Sequence, residues 1–365
     1  MANHKRIAQV AGSIIPIALA LLIGYFLIMF SGYDANQAFM YLLKGSVESP
    51  TQIMNTLFAA TPLIFTGLAT AISFKAELYN MGSEGQLYLG AFFAAYLGFT
   101  LKGLPSIVHI LICLLGGAVA GMFFALIPAI IRAYCDVDEM VSTLMLNYVA
   151  ILFTTWLAGY PFRAPGSSNP ETYKIESSAV LPRLFSNSQL HVGFLIAIFV
   201  FILVYIMMNK TVLGYQITSI GKNKDFSQFV GMNVAKKIVL IMAISGIISG
   251  LGGAVEVLGT HGKFVSGFSA DYGWTGLTIA LIGRFNPIGV LAASLLFGIL
   301  KNGGSTMEIM TGVPRSLIEI IEGLIVIFFT IDMFSRKFAF RKIIRQKIDI
   351  HQKKKAKVKG VHNDG

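Results

Sequence analysis

The chain has 365 residues, of which 55% are hydrophobic and only 13% charged, and its mean hydropathy is +0.70. That balance excludes a soluble domain of this size, which needs more polar surface. Several runs of roughly 20 residues carry almost no charge, about the length that crosses a bilayer. The 37 glycines and 28 phenylalanines suit closely packed membrane helices.

Residues 1–10 form a short basic N-terminus with Lys5 and Arg6, expected in the cytoplasm. Residues 11–30 are too long an apolar stretch for a cleavable signal and lack a small-x-small exit, so they read as the first span. A transmembrane region over 11–333 is expected. Its further spans are 52–73, kinked or broken at Pro62 and Gly67, then 87–99 with an upstream extension, 107–131, 140–158, 191–208 and 238–258. The pieces 273–283 and 288–300 are each short of a full crossing. Joined by the turn at Gly283, Asn286 and Pro287, they read as two tilted short spans or a re-entrant pair. A last span covers about 315–333. The expected fold is all-α, a polytopic membrane protein with about ten transmembrane helices, some short or broken.

Charge orients these spans. The loop 209–237 carries five lysines against one aspartate, and the tail 336–365 carries eleven Lys or Arg against two aspartates. The large loop 159–190, stiffened by four prolines, has three basic and two acidic residues. The positive-inside rule then places 209–237 and both termini in the cytoplasm, with 31–50, 159–190 and 259–272 outside. The basic segment 334–365 reads as a disordered cytoplasmic tail that either holds topology or attracts anionic lipid or nucleic acid.

Cys113 and Cys135 are the only cysteines; they read as small packing residues. No G-x-x-x-x-G-K-[ST], H-E-x-x-H or G-x-S-x-G string occurs. The glycine-rich GLGGAVEV at 250–257 lacks the Lys and Ser/Thr of a phosphate loop and is explained by helix packing. The six His are scattered; His191 and His261 have no ligand-spaced neighbours. Neither catalytic residues, a metal site nor a cofactor is expected.

Two polar stretches carry the chemistry. The segment 74–90 places Asn80, Glu84 and Gln86 at the start of a span, inside or near the membrane, where polar groups must find partners. Two readings are open: a clamp that holds a helix break, or part of a substrate pathway. Asn147, mid-span, is either a cross-helix hydrogen-bonding residue or a pore residue. The second stretch is 209–237. There Phe226, Phe229 and Val230 fall at i, i+3 and i+4, on one helical face. That face can fill a groove on a soluble partner while Lys222 and Lys224 meet an acidic rim, or lie on lipid headgroups.

The string LYNMGSEGQLYLGA at 78–91 resembles the F-N-I-G-x-E-G-Q-x-x-x-G hallmark of the permease subunits of ABC importers for nucleosides and related ligands, within the simple-sugar and branched-chain amino acid permease group. Asn80, Gly82, Glu84, Gly85, Gln86 and Gly90 match; Tyr79 and Met81 replace Phe and Ile. GYQITSIGKNKDFSQFVGMNV at 214–234 resembles the loop by which such permeases contact their ATPase. Gly214, Gly221, Asn223, Gly231 and Asn233 match. Thr218-Ser219 stand for the usual Arg-Ala, and Phe226-Ser227 for Ala-Ala. The resemblance covers about 10–335. It implies a permease in a bacterial plasma membrane, translocating a small polar ligand, with a cytoplasmic ATP-binding subunit, a second permease subunit (the same or different) and an extracellular binding lipoprotein. Membrane lipid is the other expected partner; nucleic acid is not expected. The nucleoside choice rests on the resemblance alone. The runner-up is a secondary transporter driven by an ion gradient, for which Glu84 beside a helix break would be the coupling carboxylate.

Overall fold

The computed structural model describes residues 2–331, with side chains from Ile15 onward. The tail expected at 334–365 lies outside the described residues. Thirteen α-helices run in chain order: α1 Ala2–Phe30, α2 Ala35–Val47, α3 Pro50–Lys75, α4 Ser83–Thr100, α5 Ser106–Cys135, α6 Glu139–Gly159, α7 Gly193–Lys210, α8 Val212–Lys222, α9 Lys224–Phe229, α10 Val234–Glu256, α11 Tyr272–Ile282, α12 Pro287–Thr311, and α13 over 315–331. Among the described residues only isolated β-bridges occur, all within the loops of one end, such as Arg163 with Thr172 and Glu171 with Val265.

Among the described residues, six helices are long and apolar enough to cross a membrane: α3, α5, α6, α7, the run Val234–His261 that contains α10, and α12. Ile15–Phe30 and α11 are shorter apolar helices. With α4 and α13, a helix lies on each of the ten segments expected as spans, and six of these helices are long and apolar enough to cross. The chain is an all-α polytopic membrane protein.

Two compact units form. In one, α1 meets α13 where Gly24 admits the side chain of Ile321. The other, residues 36–315, holds the core. At its centre stand α3, whose apolar window is 83% buried, and α10, at 72%; α6 and α7, at 22% each, face outward. The small residues explain this arrangement. In lipid there is little hydrophobic drive between helices, so close backbone approach supplies the packing. A Cβ on Gly250 would run into Gly117 and Gly121 of α5, and one on Gly90 of α4 would run into Gly250. Gly250 is therefore the point where α4, α5 and α10 touch. The GLGGAVEV string serves this contact, with Gly252 against Phe65 and Gly253 against Leu87.

The structure corrects two boundaries. The piece expected at 288–300 continues to Thr311, so α12 is a full-length helix that also carries Lys301, Asn302 and Glu308. Asn286 caps its start, accepting from the Ile288 N–H at 3.1 Å, and Pro287 occupies the first turn. By contrast, α11 has 11 residues and rises only about 16 Å, half a bilayer. The segment expected as the outer loop 259–272 does not stay at the end of the bundle. It descends along α4, with Phe264 on Phe92 (5.6 Å) and Phe268 on Tyr88 (4.9 Å), and delivers the start of α11 beside Glu84. Its upper part is tied to the 160–192 loop by the Lys263–Glu171 ion pair at 2.7 Å, which holds the Glu171 carboxyl below its usual range.

Candidate functional site

The segment 76–86 joins α3 to α4, and its backbone leaves the helical path. Each exposed N–H in such a break needs an acceptor. The structure supplies them from distant helices. Glu139 Oε1 accepts from the Tyr79 N–H (3.0 Å), Thr143 Oγ1 from Met81 (3.1 Å) and Asn147 Oδ1 from Gly85 (2.8 Å). The Asn147 amide also donates to the Met81 carbonyl. These three side chains recur four residues apart on α6, so one face of that helix grips the break.

Asn80 and Gln86, each 1% exposed, hold the break from within. Asn80 Oδ1 accepts from the Gly82 N–H (2.9 Å) and from Gln86 Nε2 (3.2 Å), while Asn80 Nδ2 donates to Ser245 Oγ of α10 (2.9 Å). Glu84 faces the other way. Its carboxylate accepts from the Gly273 N–H and bonds the Ser269 hydroxyl. It thus caps the half-helix α11, where a carboxylate meets the positive end of the helix dipole. The structure brings Asn80, Glu84, Gln86 and Asn147 into one buried network that joins α4, α6, α10 and α11. Asn147→Leu keeps the side chain's bulk but orphans the Gly85 N–H and the Met81 carbonyl. At about 1–3 kcal/mol for each buried unsatisfied group, a lower melting temperature of the purified protein is expected, and a smaller drop for Asn147→Gln, which keeps an amide.

The second stretch folds as two helices rather than one. Thr211 caps α8, accepting from the Gly214 N–H (3.3 Å); Asn223 caps α9 through Phe226 (2.8 Å); Asn233 caps α10 through Lys236 (3.0 Å). Gly214 allows the bend after α7, since a Cβ there would meet the backbone of Met207 and Met208; one at Gly221 would meet the Lys75 carbonyl at the end of α3. Gly231, at φ +88°, makes the turn into α10. The motif residues are thus the caps and close approaches that fold the segment against the bundle. Two departures from the usual pattern meet each other: Ser219 and Ser227 lie 3.0 Å apart, hydroxyl to hydroxyl, which ties α9 to α8.

This leaves the apolar face of α9 uncovered. Phe229 is 89% exposed, Phe226 56% and Val230 51%, with Lys222 and Lys224 exposed beside them. Links that the sequence does not reveal run from here to the break. Lys224 lies 3.8 Å from Asp136, Asp136 lies 3.0 Å from Arg132, and Arg132 Nε lies 2.8 Å from Glu139 Oε2, the same carboxylate that holds Tyr79. Nothing in the spacing of Arg132, Asp136 and Glu139 points to a backbone partner 60 residues away.

The profile of the branched-chain amino acid transport system / permease component family matches residues 52–330. The chain is 33% identical over 330 residues to the guanosine ABC transporter permease protein of Bacillus subtilis, covering 89% of this chain and 94% of that protein. It is 31% identical over 335 residues to the glucose ABC transporter permease protein of Haloferax volcanii (89% and 88%). It is 30% identical over 337 residues to the nucleoside ABC transporter permease protein of Lactococcus lactis (90% and 92%). No solved structure matches. The chain belongs to the branched-chain amino acid transport system permease family.

Proposed function

We propose that this chain is the membrane-spanning permease subunit of an ATP-driven importer that takes in a nucleoside. The observation that carries the reading is similarity along nine-tenths of the chain to permeases named for guanosine and for nucleosides. In this reading the permease sits in a bacterial plasma membrane with both termini in the cytoplasm. A cytoplasmic ATP-binding subunit grips Phe226, Phe229 and Val230, a second permease subunit completes the pathway, and a binding lipoprotein docks on the loops around 159–190.

The geometry supports a route for force. Movement of α9 reaches Asp136 and Arg132, passes through Glu139 to the backbone at Tyr79, and arrives at the network of Asn80, Glu84, Gln86 and Asn147. Because Glu84 caps α11, displacement of the start of α4 displaces the half-helix. These four residues line the pathway as its movable wall, and ATP supplies the differential stability of two positions of that wall. The test is uptake of labelled guanosine by the complete transporter in proteoliposomes. Uptake that requires ATP and persists when ionophores collapse every ion gradient is the expected result. Uptake that vanishes with the gradient and ignores ATP would establish the secondary transporter instead.

A further inference from the structure

A cavity of about 290 Å³ lies beside the first turn of α11, lined by α3 and α12. Its lining includes Asn55 and Phe58 of α3, Gln189, Tyr272 at the first turn of α11, Lys301 of α12, and Arg315. Two of these residues adjoin the network around Glu84: the Tyr272 N–H donates to Ser269 Oγ (3.1 Å), whose hydroxyl bonds Glu84, and the Lys301 ammonium acts on the Glu84 carboxyl through space.

The lining is built rather than incidental. The edge of His191 meets Phe58 at 5.7 Å and 79° and fixes that ring. Gln189 donates its N–H to Asn55 Oδ1 (3.3 Å), which orients that amide and leaves its two N–H donors and one oxygen lone pair. The Lys301 ammonium sits 5.6 Å from the centre of the Tyr272 ring and 3.5 Å from the Ala270 carbonyl, a cation–π geometry that holds the ring. Asn302, the next residue, donates to the Gly45 carbonyl (2.8 Å), the Gln52 carbonyl (3.1 Å) and Thr56 Oγ1 (3.0 Å), which locks α12 to α3 and keeps the walls apart at a set spacing.

The chemistry selects a ligand class. Two aromatic rings offer faces for stacking a planar ring. The amides of Asn55 and Gln189 and the cations of Lys301 and Arg315 supply donors, and no carboxylate lines the cavity. A cationic solute gains nothing there. A sugar uses the donors but wastes the rings. An uncharged aromatic ring bearing carbonyl and hydroxyl acceptors uses both. We infer that this cavity is a binding subsite for the base and ribose of a purine nucleoside, occupied on the solute's way to the break at 76–86. This rests on the import reading above.

A cysteine reporter tests the subsite directly. In the complete transporter in nanodiscs, Cys135 is replaced by serine, Cys113 is buried, and Ala270, at the cavity's edge, is changed to cysteine and labelled with a maleimide. Ser305→Cys, also in the lining, is a second reporter. Guanosine is expected to slow labelling at least about fivefold, and glucose at the same concentration to leave it unchanged. Phe58→Ala is expected to abolish the protection and Phe58→Trp to keep it. The subsite is overturned if guanosine gives no protection, if glucose protects equally, if Phe58→Ala protects like the parent, or if neither reporter labels. ATP-driven uptake is measured on the same preparation. Uptake without protection retires the subsite and leaves the import reading; protection without ATP-driven uptake retires the import reading and leaves the subsite.

Discussion

Phe229→Ala is expected to leave expression and membrane insertion normal while the ATP-binding subunit washes away from the permease at salt concentrations that the parent complex survives. The ring is 89% exposed in the chain alone. An exposed apolar ring beside a second ring, Phe226, and Val230, on a helix tied to the bundle through Ser227 and Lys224, marks an interface rather than a core position. Truncating an aromatic anchor at the centre of an interface costs about 2 kcal/mol or more, about thirtyfold in affinity. ATP-driven uptake should fall with it, and ligand-stimulated hydrolysis should disappear. Phe229→Trp should retain both. If the ATP-binding subunit copurifies with Phe229→Ala at the parent's salt resistance, this face lies on lipid headgroups and force enters elsewhere.

A larger effect on the protein itself is expected from Gly250→Val. Overpacking costs about 1–3 kcal/mol where neighbouring side chains can rotate away. At Gly250 they cannot, because the atoms in the way are backbone: the carbonyl of Gly117 and, at 3.0 Å, the Cα of Gly121. Three helices would have to separate together, and each separation loses contacts along the whole seam. Loss of most monodisperse protein on size-exclusion chromatography is the expected result. Gly323→Ala is the control, since a Cβ there meets nothing within 4 Å; its elution profile and melting temperature should match the parent's. Equal recovery of Gly250→Val and Gly323→Ala would mean that the α4–α5–α10 contact does not hold this fold together.

The candidate site was partly legible. Asn80, Glu84, Gln86 and Asn147 stood out because polar side chains in apolar runs must be satisfied, and all four join one network. Phe226, Phe229 and Val230 stood out by helical spacing, although the segment breaks into α8 and α9 because the Asn223 side chain caps a new helix. The cavity was not legible. Asn55, Phe58, Gln189, Tyr272 and Lys301 come from four elements, and nothing in their spacing along the chain marks them as neighbours. The boundary of α12 was missed because Lys301, Asn302 and Glu308 look like loop residues when read by hydropathy; Asn302 is tolerated in the helix because its amide is consumed by α2 and α3.

The sequence by itself determined that the protein is a bundle of membrane helices, roughly where each helix runs, and to which family it belongs. Those properties are local: a bilayer demands apolar runs of a certain length, and the motif at 78–91 is contiguous. Only the tertiary structure decided who partners whom. Glu84 meets Gly273 across 189 residues, Asn80 meets Ser245 across 165, and Asn147 meets Gly85 across 62. No periodicity encodes such pairs. They follow from where glycine seams let helices approach and where a half-length helix ends, because a buried polar group takes whichever partner the packing of the whole bundle brings within about 3 Å.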